Sequence, residues 1–206
     1  VIDRAIFGSW WGVALYRIKH LLKRNTRGNS KKNIHAHYDL GNSFYTLWLD
    51  ESMNYSSALF SGELARSTTD AQNAKVRRAL TEVEAGAGKR ILEIGCGWGA
   101  LAEMAARDFG AHLRGVTLST EQLDFANQRM QRLGVSEQVD LRLQDYRDID
   151  DAPFDAICSI EMLEAVGQEY WPTYFQTVAR LLKPGGRACI QSIVIADSLF
   201  ERYLRN

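Results

Sequence analysis

Lys89-Arg-Ile-Leu-Glu-Ile-Gly-Cys-Gly-Trp-Gly99 decides the fold of this 206-residue chain. Lys89 to Ile94 is a short apolar run with the length of one buried strand, and it leads straight into glycines at alternate positions. Ala100–Phe109 follows, alanine-rich and suited to a helix. A strand that turns into a helix through glycines brings a closely approachable backbone and unpaired helix N–H groups to one point. The spacing is Gly-x-Gly-x-Gly, without the third glycine of a dinucleotide-binding loop. A tight turn that serves only strand–helix packing is the alternative reading.

Downstream the same rhythm recurs. A strand is predicted at Leu113–Thr117, a helix at 120–133, a strand at Val139–Leu143, a strand at Phe154–Ile160 and a helix at 171–182. Lys183-Pro-Gly-Gly186 reads as a turn before a last strand, Arg187–Ile195. Strands alternating with helices at this spacing indicate a parallel, doubly wound α/β sheet covered on both faces. Upstream, a helix is predicted from about Ser67 to Val83, opened by Ser67 or Thr69, and Met53–Phe60 reads as a loop. Asp39 or Asn42 is placed to cap a short aromatic helix before Asp50. Three regions result: 1–33, a basic amphipathic helix and linker; 34–85, a helical, aromatic lid segment; and 86–206, the α/β domain.

Composition narrows the class. Hydrophobic residues make up 46% of the chain and charged residues 24%, which suits one well-buried core. No apolar run approaches the roughly 20 residues of a spanning helix and no secretory leader opens the sequence, so a cytoplasmic location is expected. The net charge of zero hides an uneven distribution. Arg4, Arg17, Lys19, Lys23, Arg24, Arg27, Lys31 and Lys32 stand against Asp3 alone before Tyr38. A basic arm ahead of an acidic body suggests an anionic partner, a solvated linker being the alternative. Cys96, Cys158 and Cys189 are scattered without metal-ligand spacing, so free, mostly buried thiols and no metal site are expected.

The ends of the predicted strands carry the candidate chemistry. After the glycine loop come Thr117-Leu-Ser-Thr-Glu-Gln122, whose polar groups can bind a ribose or a carboxylate. Gln144-Asp145-Tyr146 follows the third strand, offering a carboxylate for an adenine amino group and a ring to stack on it. Successive strands thus aim polar groups at one edge, where open α/β sheets bind ligands. The pattern resembles S-adenosyl-L-methionine methyltransferases more than nicotinamide enzymes. The fourth strand runs into Glu161 and Glu164, which on a helical turn would share a face; at least one is expected in the cleft, and a solvated acid or helix cap is an equal reading for Glu161.

These residues resemble the cyclopropane-fatty-acyl-phospholipid synthases and the mycolic acid cyclopropane synthase branch. The matching pieces are His37-Tyr-Asp-Leu-Gly-Asn42, Leu49-Asp-Glu-Ser-Met-Asn-Tyr-Ser56, Leu92–Gly99, Gly115-Val-Thr-Leu-Ser119 and Glu164-Ala-Val-Gly with Tyr170 and Tyr174-Phe175. The resemblance implies a Rossmann-like class I S-adenosyl-L-methionine-dependent methyltransferase with an N-terminal helical lid. It implies cofactor binding by Tyr55, Ser56, Glu93, Gly95, Gly97, Thr117, Leu118, Gln122, Asp145, Tyr146 and Ile160. It also implies transfer of a methyl group to the cis double bond of an unsaturated phospholipid acyl chain, with proton loss closing a cyclopropane ring. A bound bicarbonate would take that proton, with Glu164, Ser57, Gln191 and Tyr38 as the catalytic set. Aromatic faces can stabilise the intervening cation, which gives Tyr38, Phe44, Tyr45 and Tyr55 a functional reading beside that of plain lid packing.

The chain departs from the family at the proton-accepting positions. Ala165 stands where many relatives have His, Ser57 where Cys is common, and Gln191 where His is common. Neither Ser57 nor Gln191 titrates near neutrality as His does. Methyl or methylene addition without a ring therefore stays open. The resemblance also implies seven strands where five are counted, so the C-terminal strands are expected to be missing, leaving an open edge that favours a homo-oligomer. The basic segment fits peripheral association with a membrane surface. Rival readings are a methyltransferase for a polar small molecule, a cofactor-binding protein without turnover and, last, a nucleic-acid methyltransferase. No base-stacking motif supports the last, so no nucleic-acid partner is expected.

Overall fold

The computed structural model describes residues 41–200. The predicted basic helix, the linker, Tyr38 and Asp39 lie outside the described residues.

β1 (Arg90–Ile94) lies at the centre of a five-stranded, all-parallel sheet. The strand order is β3-β2-β1-β4-β5, with β2 at His112–Thr117, β3 at Val139–Leu143, β4 at Phe154–Ile160 and β5 at Leu182–Gln191. The order reverses beside β1, so the loops after β1 and β4 diverge and leave a crevice at their carboxyl ends. Residues of β1 alternate between faces, as the two-residue period of a strand requires. Ile91 joins a core with Val76, Leu80, Leu101, Ala105 and Met130. Leu92 and Ile94 join the other, with Ile157, Tyr174, Val178 and Leu181.

The helices that cover these faces begin where their sequences cap them. α1 is the short turn Asn42–Tyr45 and α2 runs over Thr68–Glu82. Ser67 is the N-cap of α2, its side chain accepting from the Asp70 N–H, which settles the choice between Ser67 and Thr69. α3 (Ala100–Arg107) follows the glycine loop, and α4 (Thr120–Leu133) is capped by Ser119 and stopped by Gly134 in the left-handed region. α5 (Trp171–Leu181) carries a proline in its first turn, where a missing N–H costs nothing. α2, α3 and α4 contribute to one face and α5 to the other, giving the doubly wound α/β class read from the sequence.

Three expectations need correction. The last strand ends at Gln191, not Ile195, because β4 stops at Ile160 opposite Gln191 and offers no further partner. Beyond it Glu164 captures the Ser192 hydroxyl and the Ile193 N–H, drawing the chain off the sheet. The Lys183–Gly186 turn is absorbed as a register shift, Leu182 pairing with Phe154 and Arg187 with Ala156. Asn42 does not cap α1; Gly41 holds that position and Asn42 is the first helical residue.

Candidate active site

A cavity of about 880 Å³ opens at the carboxyl ends of the strands. Every cofactor-binding residue expected from the sequence lines it: Tyr55, Ser56, Glu93, Gly95, Gly97, Thr117, Leu118, Gln122, Asp145, Tyr146 and Ile160. The glycine loop forms its floor. Gly97 has φ +50° with nothing within 4 Å of where a Cβ would stand, so backbone shape alone calls for glycine there. Gly99, with φ +85°, instead lets α3 start against α4, since a Cβ would come within 3.1 Å of that of Ala126.

Side chains around the floor are pre-set by one another. Thr117 Oγ1 donates to Gln122 Oε1 at 3.0 Å and accepts from the Ser119 N–H at 3.2 Å, fixing the β2–α4 turn. Asp145 takes the Arg147 guanidinium in two bonds, Nε to Oδ1 at 2.8 Å and Nη2 to Oδ2 at 2.6 Å. The carboxylate expected to meet an adenine amino group is thus shared with a neighbouring cation that also lines the cavity. Arg147 in turn lies against the Tyr146 and Tyr170 rings.

Two buried acceptors in the lining, Glu93 Oε2 and Gln144 Oε1, lack partners among the described residues. Burial pushes the Glu93 carboxyl well above the usual range, with the Lys75 ammonium pulling the other way. The lining is acidic: Asp50, Glu93, Asp145, Glu161 and Glu164 face one basic lining residue, Arg147. With Asp145 and Arg147 paired, Asp50, Glu161 and Glu164 outnumber the nearby Lys75 ammonium, and the remaining field favours a cationic occupant.

The outer wall comes from the segment before α2. Trp98 of the glycine loop donates its indole N–H to Asn42 Oδ1 at 2.6 Å, pinning α1 to the floor. Tyr45 packs on Trp98 with ring centroids 5.0 Å apart, and Trp48 meets Tyr55 at 5.4 Å. Residues 48–57 then pass over the cavity as a strap. Arg129 holds the Ser52 carbonyl at 2.8 Å and Gln72 the Ser56 carbonyl at 2.7 Å.

The expected catalytic set is brought together only in part. Glu161 Oε1 accepts from the Ser57 N–H at 2.9 Å and from Gln191 Nε2 at 2.8 Å. Glu161 stands at φ +48°, a left-handed conformation that a non-glycine residue adopts at a cost. Glu164 also lines the cavity but bonds Ser192 and Ile193 rather than Ser57 or Gln191. The reading of Glu161 as a solvated acid or helix cap is therefore corrected: it faces the cavity and is clasped by protein donors. Sequence reasoning passed over Gln72, Lys75 and Arg147, and it named Asn42 and Trp98 only as a cap and as motif residues, not as partners of one another.

The family model described as mycolic acid cyclopropane synthetase matches residues 25–202. The chain belongs to that family. It is 42% identical to the tuberculostearic acid methyltransferase UfaA1 of Mycobacterium tuberculosis over 83% of its own length, and 41% identical to the cyclopropane-fatty-acyl-phospholipid synthase of Escherichia coli K12 over 76%. The chain spans only 41% and 39% of those two proteins. The crystal structure of the mycolic acid cyclopropane synthase CmaA1 with SAH and CTAB superposes with a TM-score of 0.77 at 30% identity, covering 84% of this chain and 60% of that one. The mycolic acid cyclopropane synthetase family is one of S-adenosylmethionine-dependent methyltransferases on the class I fold, and S-adenosylmethionine is its cofactor. The cavity fits that molecule. An orphan acceptor by β1 and another beyond β3 suit the ammonium at one end and the adenine amino group at the other, and an acidic lining suits a sulfonium.

Proposed function

We propose that this chain carries the catalytic half of a lipid C-methyltransferase that acts on the cis double bond of an unsaturated phospholipid acyl chain, with cyclopropane formation as the leading outcome. S-adenosylmethionine supplies an electrophilic methyl on a sulfonium. Glu93 and the glycine loop would hold it at the floor, Tyr55 and Ser56 would hold it from the strap, and Gln144 with the Asp145–Arg147 pair would receive the adenine. An alkene is a weak nucleophile, so the protein's part is alignment, exclusion of water and tolerance of positive charge. Acidic side chains in the lining and the Tyr45–Trp48–Tyr55–Trp98 cluster support that role.

The observation that carries the reading is the Glu161 carboxylate held by Ser57 and Gln191. The Ser57 N–H and the Gln191 amide, two of the donors expected around a bicarbonate, are engaged by a carboxylate of the chain itself, so no step is assigned to that ion. Glu161 is the proton acceptor in this proposal. It takes a proton from the transferred carbon. The C–H electron pair then closes the ring or, after a hydride shift within the acyl chain, forms an exocyclic methylene. A saturated methyl branch would need a reductant in addition. Exposed Leu47 and Trp48 beside the cavity support approach to an acyl layer from the membrane surface, and no helix among the described residues is long and apolar enough to cross a membrane.

The test is incubation with methyl-labelled S-adenosylmethionine and anionic vesicles of cis-unsaturated phospholipid, with NMR of the extracted lipid. Label in a ring supports the leading outcome, and label in a methylene supports lipid C-methylation without closure. Label transferred to a polar small molecule and never to lipid would remove the proposal.

A further inference from the structure

Lys75 is a buried ammonium that no step above uses. It lies on α2, 5% exposed, in a position where a methionine or leucine would fill the same space without the several kcal/mol that desolvating a charge costs. Its neighbours explain its retention. Nζ donates to Gln72 Oε1 at 2.7 Å and to Ser56 Oγ. Gln72, three residues earlier on the same helical face, donates Nε2 to the Ser56 carbonyl at 2.7 Å and to that of Asn54 at 3.4 Å. One face of α2 therefore grips the strap at a hydroxyl and two carbonyls. Asn54, Tyr55 and Ser56 line the cavity, as do Trp48, Leu49, Asp50 and Met53 earlier in the strap. Asp50, Glu93 and Glu161 surround the ammonium electrostatically, and burial against that field brings its pKa down to about 8.

We infer that Lys75 is a positioning residue: acting through Ser56 and Gln72, it holds the Asn54–Ser56 strap as the cavity wall that closes on the cofactor. This rests on the reading of the cavity as the cofactor site. Without the ammonium the strap keeps its covalent path but loses the bond that fixes Ser56, so the cost falls on cofactor binding more than on the chemical step.

The experiment is calorimetric titration of the protein with S-adenosylhomocysteine, together with steady-state kinetics in S-adenosylmethionine, for wild type, K75M, S56A and the double variant. K75M is expected to weaken S-adenosylhomocysteine about tenfold and to raise KM for S-adenosylmethionine similarly, while kcat at saturation falls less than threefold. Because Lys75 acts through Ser56, the double variant should bind no more weakly than the weaker-binding of the two single variants. Should K75M fail to fold, K75R, which keeps the charge but cannot seat it between Ser56 and Gln72, must still weaken binding at least threefold. Binding by K75M or S56A equal to wild type, or fully additive losses in the double variant, would overturn the inference. Absence of binding by wild type would instead remove the cofactor reading of the cavity.

Discussion

Glu161 and Gln191 are joined twice: the Glu161 N–H donates to the Gln191 carbonyl at 2.9 Å, and the Gln191 amide returns a bond to Glu161 Oε1 at 2.8 Å. The first bond extends the β4–β5 ladder by one residue, just where Glu161 leaves the strand in a left-handed conformation. The second aims the carboxylate. Backbone and side chain of one residue pair thus set both the position and the direction of the proposed base.

Replacing that carboxylate with an amide keeps the shape and removes the basicity. E161Q is expected to lower methyl transfer to lipid by 10²-fold or more, within the usual range for a general base, while S-adenosylhomocysteine affinity changes less than about twofold. Wild-type turnover in buffer stripped of carbonate should equal that in ordinary buffer. A strict requirement for added bicarbonate would show that Glu161 is not the acceptor.

Glu93 should trade stability for binding. Its folded-state pKa lies well above that of an unfolded glutamate, so the folded protein binds the extra proton. The Glu93-linked stability is fully present below the unfolded pKa, near 4.5, and is lost as pH rises toward the folded value. At pH 7.5, E93Q is expected to melt a few degrees above wild type and to bind cofactor more weakly. By pH 5 the gap in melting temperature should shrink, because wild-type Glu93 is then protonated in the fold. Melting curves at the two pH values check the sign.

Gly115 in β2 has no room for a methyl group, since a Cβ would stand 2.6 Å from Leu141 Cδ2 and 2.9 Å from Cys96 Cβ. Leu141 can turn aside, but Cys96 belongs to the glycine loop. G115A is expected to cost about 1–3 kcal/mol from overpacking and to weaken cofactor binding by displacing that loop. Denaturant unfolding and S-adenosylhomocysteine titration measure the two effects.

Asn42 anchors α1 to Trp98 through one short bond. N42A removes the acceptor for a partly buried indole N–H, a loss of about 1–3 kcal/mol, or several degrees of melting temperature for a domain of this size. W98F removes the donor as well but also trims a buried ring, so it should be the milder change only if the bond outweighs the lost packing. A larger loss in W98F would mean that the ring's packing, not the bond, ties α1 down.

What the sequence made legible follows from periodicity and punctuation. β3, β4 and α4 are found where apolar period and capping residues place them, because Ser119 and Gly134 are local signals that tertiary contacts reinforce. The end of the last strand was illegible, since Ser192–Ile195 is apolar enough for a strand and only the early stop of β4 denies it a partner. The cofactor residues follow strand ends and could be read in order. The clasp on Glu161 could not, because Ser57, Glu161 and Gln191 are brought together by long-range folding alone. Lys75 was hidden for the same reason: a lysine in a helix says nothing of burial until the strap lies over it.

The strap over the cavity is tied down by side chains, not by the sheet. Gln72, Lys75, Arg129 and Glu161 hold Ser52 to Ser57, with no ladder of strand pairing behind them among the described residues. Such a segment opens at far lower free energy than the five-stranded core, so it can release without global unfolding. The residence time of the cofactor is then governed by how often four side-chain grips let go together. Exchange of spent for fresh cofactor becomes a property of the strap's opening rate, separable from the strength of the floor beneath it.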